Sequence, residues 1–477
     1  MTKIFNLKNT IIFVLFSIVW KILISSLPLH SDEAYYWLWS TKLDLSYYDH
    51  SPMVAYFIKL TTLFGNSEIA VRFSSIIVTL IVSILLWKLV MKLFNNEAMA
   101  SASIVILHCM PILFTASIII TPDTPVFLFL SLSTYYVWKL IDSKNHNYWY
   151  LIGLFFGLSM LSKYTACLFI MSLFIYIVLD KKIFWFKSYQ LYIGLIISVI
   201  CSFPVVYWNY LHDWASFSYQ VGHALNNNGI RFNYVFEYLG TQAGIFNIIL
   251  FFPVLYISIK YLFSKDTKNI FLAAFSVPVI LFYVFTALKR LPGGNWPIPA
   301  YFTFSIIAAK YFIEGSKIKQ RLVIGAIIFN LIASIILGLH AKWTILPLDK
   351  ISNNTAIADA TNYFHGYKEL AEKILHDEYH FVVTPEHQLS ASIAYYTKNK
   401  VKAFRYTDGR KITQFEIWGM PKDFDYSNGA FVYEPTEDGT VPCKIYDIFK
   451  LDPAVDNKKT IRNNNVVRQY NIQKISK

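Results

Sequence analysis

Charge is scarce in this chain. Of its 477 residues only 15% are Asp, Glu, Lys or Arg, while 55% are hydrophobic; a soluble domain usually carries about 25% charged residues. A surface facing water throughout is therefore excluded, and much of it must face lipid. Cysteine is scarce as well. Four are present, with no CxxC and no Cys/His spacing of a metal site. Cys109, Cys167 and Cys201 lie in apolar stretches and Cys443 stands alone in a polar tail, so no disulfide framework is expected. There is no internal repeat, no low-complexity segment, no P-loop, no GxGxxG and no GxSxG. The tail segment His376-Asp-Glu-Tyr-His380 imitates the zinc-protease HExxH, but its glutamate comes one position late and its second histidine opens a strand.

Long apolar runs are abundant. A bilayer core needs about 20 apolar residues per helix. Candidate spans fall near 9–29, 71–94, 98–119, 124–141, 149–161, 164–180, 190–210, 244–263, 269–288, 297–314 and 321–339, about eleven in all. The first is expected to stay uncleaved, because Pro28-Leu29-His30-Ser31-Asp32 offers no small-residue cleavage site. The net charge of +13 suggests no nucleic acid, because the lysines sit in short loops between spans, as orientation signals do. Lys3 and Lys8, Lys88 and Lys92, Lys181, Lys182 and Lys187, and Lys317, Lys319 and Arg321 mark the cytoplasmic side, the N-terminus included. A turn at Ser162-Lys163, splitting 149–180 into two helices, keeps every basic loop on that side. It also places Lys163 at the outer face, where a charge avoids the cost of mid-membrane burial. Residues 1–339 read as a transmembrane domain. Residues 340–477 read as a small outer α/β domain, with helices near 365–376 and 388–398 and strands near 380–384, 401–406, 430–434 and 443–449.

With this topology the unusual polar residues gather on one side. The loop 30–70 carries Asp32, Glu33, Asp49 and His50 among aromatics that include Tyr35 and Tyr48. TPDTP carries Asp123. The short turn carries Lys163 and Tyr164. The 208–243 loop carries His212, His223 and Arg231, and KRLPGGNWPIP carries Lys289, Arg290 and Asn295. Moving a sugar from a lipid phosphate requires three things. A carboxylate must accept or orient the acceptor's proton. Cations must hold the leaving phosphate. Aromatic faces must hold sugar and isoprenoid. All three residue types are present. Structural duties compete with these roles: Asp32, Glu33 and Asp123 can cap helices, Asp49-His50-Ser51-Pro52 can be a turn, Lys163, Lys289 and Arg290 can anchor helix ends, and His212 and His223 can be hydrogen-bonding loop residues. A divalent metal at Asp32, Asp49 and His50 is possible, though no ligand spacing demands it.

The segments SDEAYYWLWSTKLDLSYYDHSPMVAYFI, TPDTP, GLSMLSKYT and WNYLHDWASFSYQ, with GGNWPIPAY, YKELAEKI and QFEIWGMP, resemble the bacterial branch of the dolichyl-phosphate-mannose protein mannosyltransferase family. The lipid A aminoarabinose transferases are more distant relatives. The resemblance implies a GT-C glycosyltransferase fold in a bacterial inner membrane, with two short helices in the first outer loop, which lies in the periplasm. It implies a polyprenyl-phosphate sugar donor, with Asp32 as the catalytic carboxylate and Asp49 as a second acidic residue. It also implies inverting displacement without a covalent intermediate. In the aminoarabinose transferases the second motif runs Glu-Lys-Pro. Here His50 replaces the phosphate-binding lysine, so Lys163, Arg231, Lys289 or Arg290 must supply that contact. Lipid A or another envelope glycolipid is the expected acceptor. Protein O-mannosylation, or a transporter or flippase of lipid-linked glycans, is the alternative; the chain shows neither repeated halves nor charges at the midplane.

Overall fold

The structure, a computed structural model, describes residues 2–225, 229–348, 359–406, 412–435, 441, 444–462 and 465–477. Cys443 lies outside the described residues, and so does the side chain of His223. Among the described residues six helices are long and apolar enough to cross a membrane: Leu7–Ile24, Glu68–Phe94, Asp123–Ser143, Tyr189–Leu211, Thr267–Ala287 and Lys317–Trp343. Phe232–Phe246 and Phe251–Leu262, bent by 102°, make a seventh if the pair is one span. Among the described residues six of the expected spans are thus single helices of full spanning length, or seven with the bent pair. The other expected spans are the shorter apolar helices Glu97–Cys109, Tyr148–Met160, Tyr164–Leu179 and Ile298–Ile313. A 13-residue helix covers only about 20 Å, against a hydrocarbon core of about 30 Å. The break at Ser162-Lys163 is present: Tyr148–Met160 ends before it and Lys163 is extended.

The chain forms two compact units. The first comprises Met1–Leu23, His50–Phe57 and Arg72–Ile336; the second comprises Ile24–Asp49, Ile58–Val71 and Leu337–Lys477. The first is helical. A close backbone approach joins Tyr148–Met160 to Tyr189–Leu211. A Cβ on Gly153 would overlap the Gly194 carbonyl, and one on Gly194 would overlap the Trp149 carbonyl. Small residues let helices in lipid pack backbone to backbone. Gly194→Val is expected to cost more than the roughly 1–3 kcal/mol of side-chain overpacking, since the obstacle is main chain. Fluorescence-detected size exclusion in detergent checks this; a monodisperse peak at wild-type yield would contradict it.

The second unit holds a five-stranded sheet. Its strands are β1 (Phe381–Thr384), β2 (Lys402–Arg405), β3 (Gly429–Tyr433), β4 (Lys450–Arg462) and β5 (Asn465–Ser476), in the order β2-β1-β3-β5-β4. β1 runs parallel to β2 and β3; β5 is antiparallel to β3 and β4. Alternation sorts the side chains to two faces. Val382, Ala430 and Val432 join Leu370, Ile374 and Ile393 of the helices Tyr367–His376 and His387–Tyr396. Phe381, Val383 and Phe431 join Ile445, Phe449 and Ile475. Thus the strand expected near 443–449 is absent where the chain is described. Ile445–Asp447 is a 3-10 turn that tucks Ile445 and Phe449 under the sheet. The β4–β5 hairpin was not expected, because β4 is largely exposed and polar.

The hairpin is pinned by Arg462. Its guanidinium donates to Asp359 (3.0 Å), Thr361, Asn362 and Thr344, and to the carbonyls of His340 and Ala341 in the last turn of the helix Lys317–Trp343, where carbonyls lack a full set of helical partners. Burial works to raise the Asp359 carboxyl, but the hydrogen bonds from Thr361 and His340 and the charge of Arg462 outweigh it and hold the group below its usual range. Burial, then Arg462, push the nearby His365 imidazole below its usual range. A histidine held neutral when folded contributes stability above its unfolded pKa and loses it as pH falls below about 6.5; a depressed aspartate loses its share below about 4. The apparent Tm should therefore fall between pH 7.5 and 5, and His365→Asn should flatten that fall. An equal slope in both proteins would refute the assignment.

Candidate active site

The second unit carries the acidic loop. The helix Ser31–Thr41 starts on a capping box. His30 Nδ1 accepts from the Asp32 N–H (3.2 Å), and Glu33 Oε2 accepts from the His30 N–H (2.9 Å). Glu33 is fully buried in this duty, whereas the Asp32 side chain is 40% exposed. Asp32 and Glu33 are therefore neighbours with different environments. Asp32 Oδ1 accepts from Gln388 Nε2 at 2.8 Å. One turn further along the helix, Tyr35 is buried and its hydroxyl donates to Asp49 Oδ2 at 2.7 Å. That hydroxyl in turn accepts from the Gln414 N–H (2.8 Å), and Gln414 Oε1 accepts from the Tyr48 N–H (2.7 Å). Burial, then the charge and hydrogen bond of Asp49, hold the Tyr35 phenol well above its usual range, so it remains a donor to the carboxylate. Its ring stacks on Phe415 (5.8 Å, 5° between planes) and meets Trp39 and His387 edge-on. Sequence reasoning named Asp32, Glu33, Tyr35, Tyr48 and Asp49. It missed Gln388 and Gln414, which stand in the first turns of ordinary helices and give no local signal of such a role.

The first unit carries the cations. Asp123, the first residue of the helix Asp123–Ser143, is buried and accepts from Lys163 Nζ (2.7 Å) and Asn295 Nδ2 (2.5 Å). Lys163 also lies 5.8 Å from the centre of the Trp296 ring, and Arg290 lies 5.3 Å from it. Trp296 also borders a small cavity of about 30 Å³ walled by Val126, Leu130, Thr165, Phe169 and Tyr283. Three loops far apart in sequence thus bring Asp123, Lys163, Arg290 and Asn295 together. The remaining candidates stand elsewhere. Tyr164 shares a hydrogen bond with Ser216 (2.8 Å). His212 stacks on Trp208 and bonds its carbonyl. Arg231 is exposed and donates to Tyr234 (2.7 Å). Lys289 is exposed, and His50 is half-buried. Among the described residues no group of three or more His, Cys, Asp and Glu is arranged to hold a metal ion.

The fold with these two clusters is that of a multi-span helical membrane protein of the ArnT type. The chain matches the crystal structure of ArnT from Cupriavidus metallidurans in the apo state with a TM-score of 0.67 and 12% identity, covering 97% of each chain. It matches the same protein bound to undecaprenyl phosphate with a TM-score of 0.69 and 11% identity, again covering 97% of each. In sequence, residues 49–208 match the family described as Dolichyl-phosphate-mannose-protein mannosyltransferase, so the resemblance read from the motifs is to that family. The chain is also 25% identical over 287 residues to the lipid A galacturonosyltransferase RgtD of Rhizobium johnstonii. That match spans 58% of this chain and 59% of the relative's own length.

Proposed function

We propose that this chain is an integral-membrane glycosyltransferase that moves a sugar from a polyprenyl phosphate, undecaprenyl phosphate in bacteria, to an acceptor at the periplasmic face. Lipid A or lipopolysaccharide is the acceptor we favour. One observation carries the reading: the Trp296 ring lies beside both the Lys163 and Arg290 cations and next to the apolar side chains of Val126, Leu130 and Phe169, so positive charge borders an apolar wall, the pairing that a phosphate on an isoprenoid chain requires. The ArnT fold and the relation to RgtD support the donor and the acceptor respectively. In this reading the basic loops and the N-terminus are cytoplasmic, and the sheet-bearing tail is a periplasmic domain.

The chemistry is a single displacement. An acceptor hydroxyl gives its proton to the Asp32 carboxylate as its oxygen bonds the anomeric carbon. The bond from that carbon to the phosphate oxygen breaks, and the electron pair leaves on the phosphate, where Lys163 and Arg290 offset the developing charge. With no enzyme nucleophile the configuration inverts. Should the acceptor be a phosphate, already ionised, Asp32 orients the sugar instead. Glu33 holds the helix start that presents Asp32. A second reading, transfer to protein hydroxyls, is favoured by the mannosyltransferase match at 49–208. The test is direct: purified protein in nanodiscs, the polyprenyl-phosphate-sugar fraction of native membranes and lipid A, followed by mass spectrometry. Release of undecaprenyl phosphate with one added sugar mass on lipid A is expected. No release with lipid A and release with a protein acceptor would favour the second reading; release with neither would reject the donor.

A further inference from the structure

Resting on the reading of Asp32 as the acceptor-facing carboxylate, the geometry points to Gln388 as a positioning residue for it, supplied by the tail. Among the described residues two polar side chains stand close to the Asp32 carboxylate, His30 and Gln388, and of these Gln388 is the donor. His30 Nδ1 lies 3.8 Å from Oδ2, but it accepts from the Asp32 N–H, so in that tautomer it has no proton there to give. Gln388 Nε2 donates to Oδ1 at 2.8 Å. One carboxylate oxygen is thus occupied, the rotamer is fixed, and Oδ2 is the oxygen set towards an incoming hydroxyl. A glutamine does this without adding a charge that would compete with a phosphate-bearing donor.

The donor is rigidly held. Gln388 sits in the first turn of the helix His387–Tyr396, and its carbonyl accepts from Ser392 Oγ (2.8 Å). That helix is fixed to the acidic loop at both ends. His387 meets the Tyr35 ring (4.8 Å) at the start. At the far end the Tyr396 hydroxyl accepts from the Leu29 N–H (2.7 Å), and the Tyr395 hydroxyl donates to the Asn66 carbonyl (2.9 Å), whose side chain takes the Trp37 indole N–H (3.0 Å). Buried aromatic contacts of this kind leave little freedom at the N-terminal end. The tail is therefore part of the machinery that aims Asp32.

A double-mutant cycle tests this, using full-length protein in native membrane vesicles with added lipid A as acceptor. Gln388→Met removes the donor and keeps the length. It should lower the maximal rate about 10- to 100-fold, the scale of a misaimed group, with the apparent KM for lipid A within about twofold and the Tm unchanged. In the Asp32→Asn background the same substitution should change the residual rate by less than about twofold, because its target is already gone. The exchange Asp32→Asn with Gln388→Glu reverses the hydrogen bond, the asparagine amide now donating to the glutamate, and should keep the wild-type Tm without restoring activity. Gln388→Met at the wild-type rate, or an equal loss in both backgrounds, overturns the positioning role. Should Gln388→Met fail to fold, the same cycle with Gln388→Glu decides. Full activity of Asp32→Asn would instead overturn the reading of Asp32, a separate outcome.

Discussion

Asp32→Asn is expected to reduce sugar transfer by about 10²- to 10⁴-fold, the range for loss of a positioned general base, with protein level and Tm unchanged. The substitution is isosteric, and the asparagine carbonyl still accepts from Gln388 Nε2, so the 2.8 Å bond survives and the loop keeps its shape. What is lost is the proton acceptor. Glu33 supplies the contrast. It is fully buried and its carboxylate caps the helix through the His30 N–H. In Glu33→Gln the amide oxygen accepts the same bond, so activity should stay within about tenfold of wild type and the stability lost should be below the worth of a whole cap, about 1 kcal/mol. Initial rates from matched membranes decide. Equal losses for the two variants would mean that both carboxylates take part in the chemistry.

The second large effect belongs to Lys163. Its side chain is 10% exposed and that of Asp123 4%, so Lys163→Met leaves a buried carboxylate with Asn295 as its remaining described donor. Breaking a buried pair by removing one partner costs about 3–5 kcal/mol, so this variant should unfold early as well as lose activity. Asp123→Asn with Lys163→Met removes both charges and should recover most of the stability. It should remain at least about 100-fold less active, because a charge-stabilising donor at the leaving phosphate is gone. Lys289→Ala, at an exposed position, should behave like wild type. An active double variant would place the phosphate elsewhere; a stable single variant would show the pair to be dispensable.

Much of this was readable in the chain itself. A lone lysine between two apolar runs cannot sit in the bilayer core, and that argument found the break at Ser162-Lys163. A stretch such as AYYWLW behind Ser-Asp-Glu announces a buried helix with an acidic start. Composition marked the tail as polar, though not that Ile24–Asp49 and Ile58–Val71 group with it, and alternation found most of the tail's elements. Hydropathy marked apolar segments without distinguishing a helix of full spanning length from a shorter one. Pairings over long sequence distance left no trace either. Asn295 meets Asp123 across 172 positions and Gln388 meets Asp32 across 356; a glutamine in an ordinary helix start carries no mark of its partner. The long β4–β5 hairpin escaped for a different reason. Its outer strand is an exposed edge, rich in lysine, as soluble edges tend to be, and so lacks the apolar alternation that betrays a strand.

The central claim is transfer of a sugar to an envelope glycolipid by Asp32. It is tested most directly by mass spectrometry of lipid A from cells carrying the wild-type gene, a deletion, and Asp32→Asn at matched protein level. Loss of one sugar mass in both the deletion and Asp32→Asn is the predicted result. A lipid A profile identical in all three would contradict it.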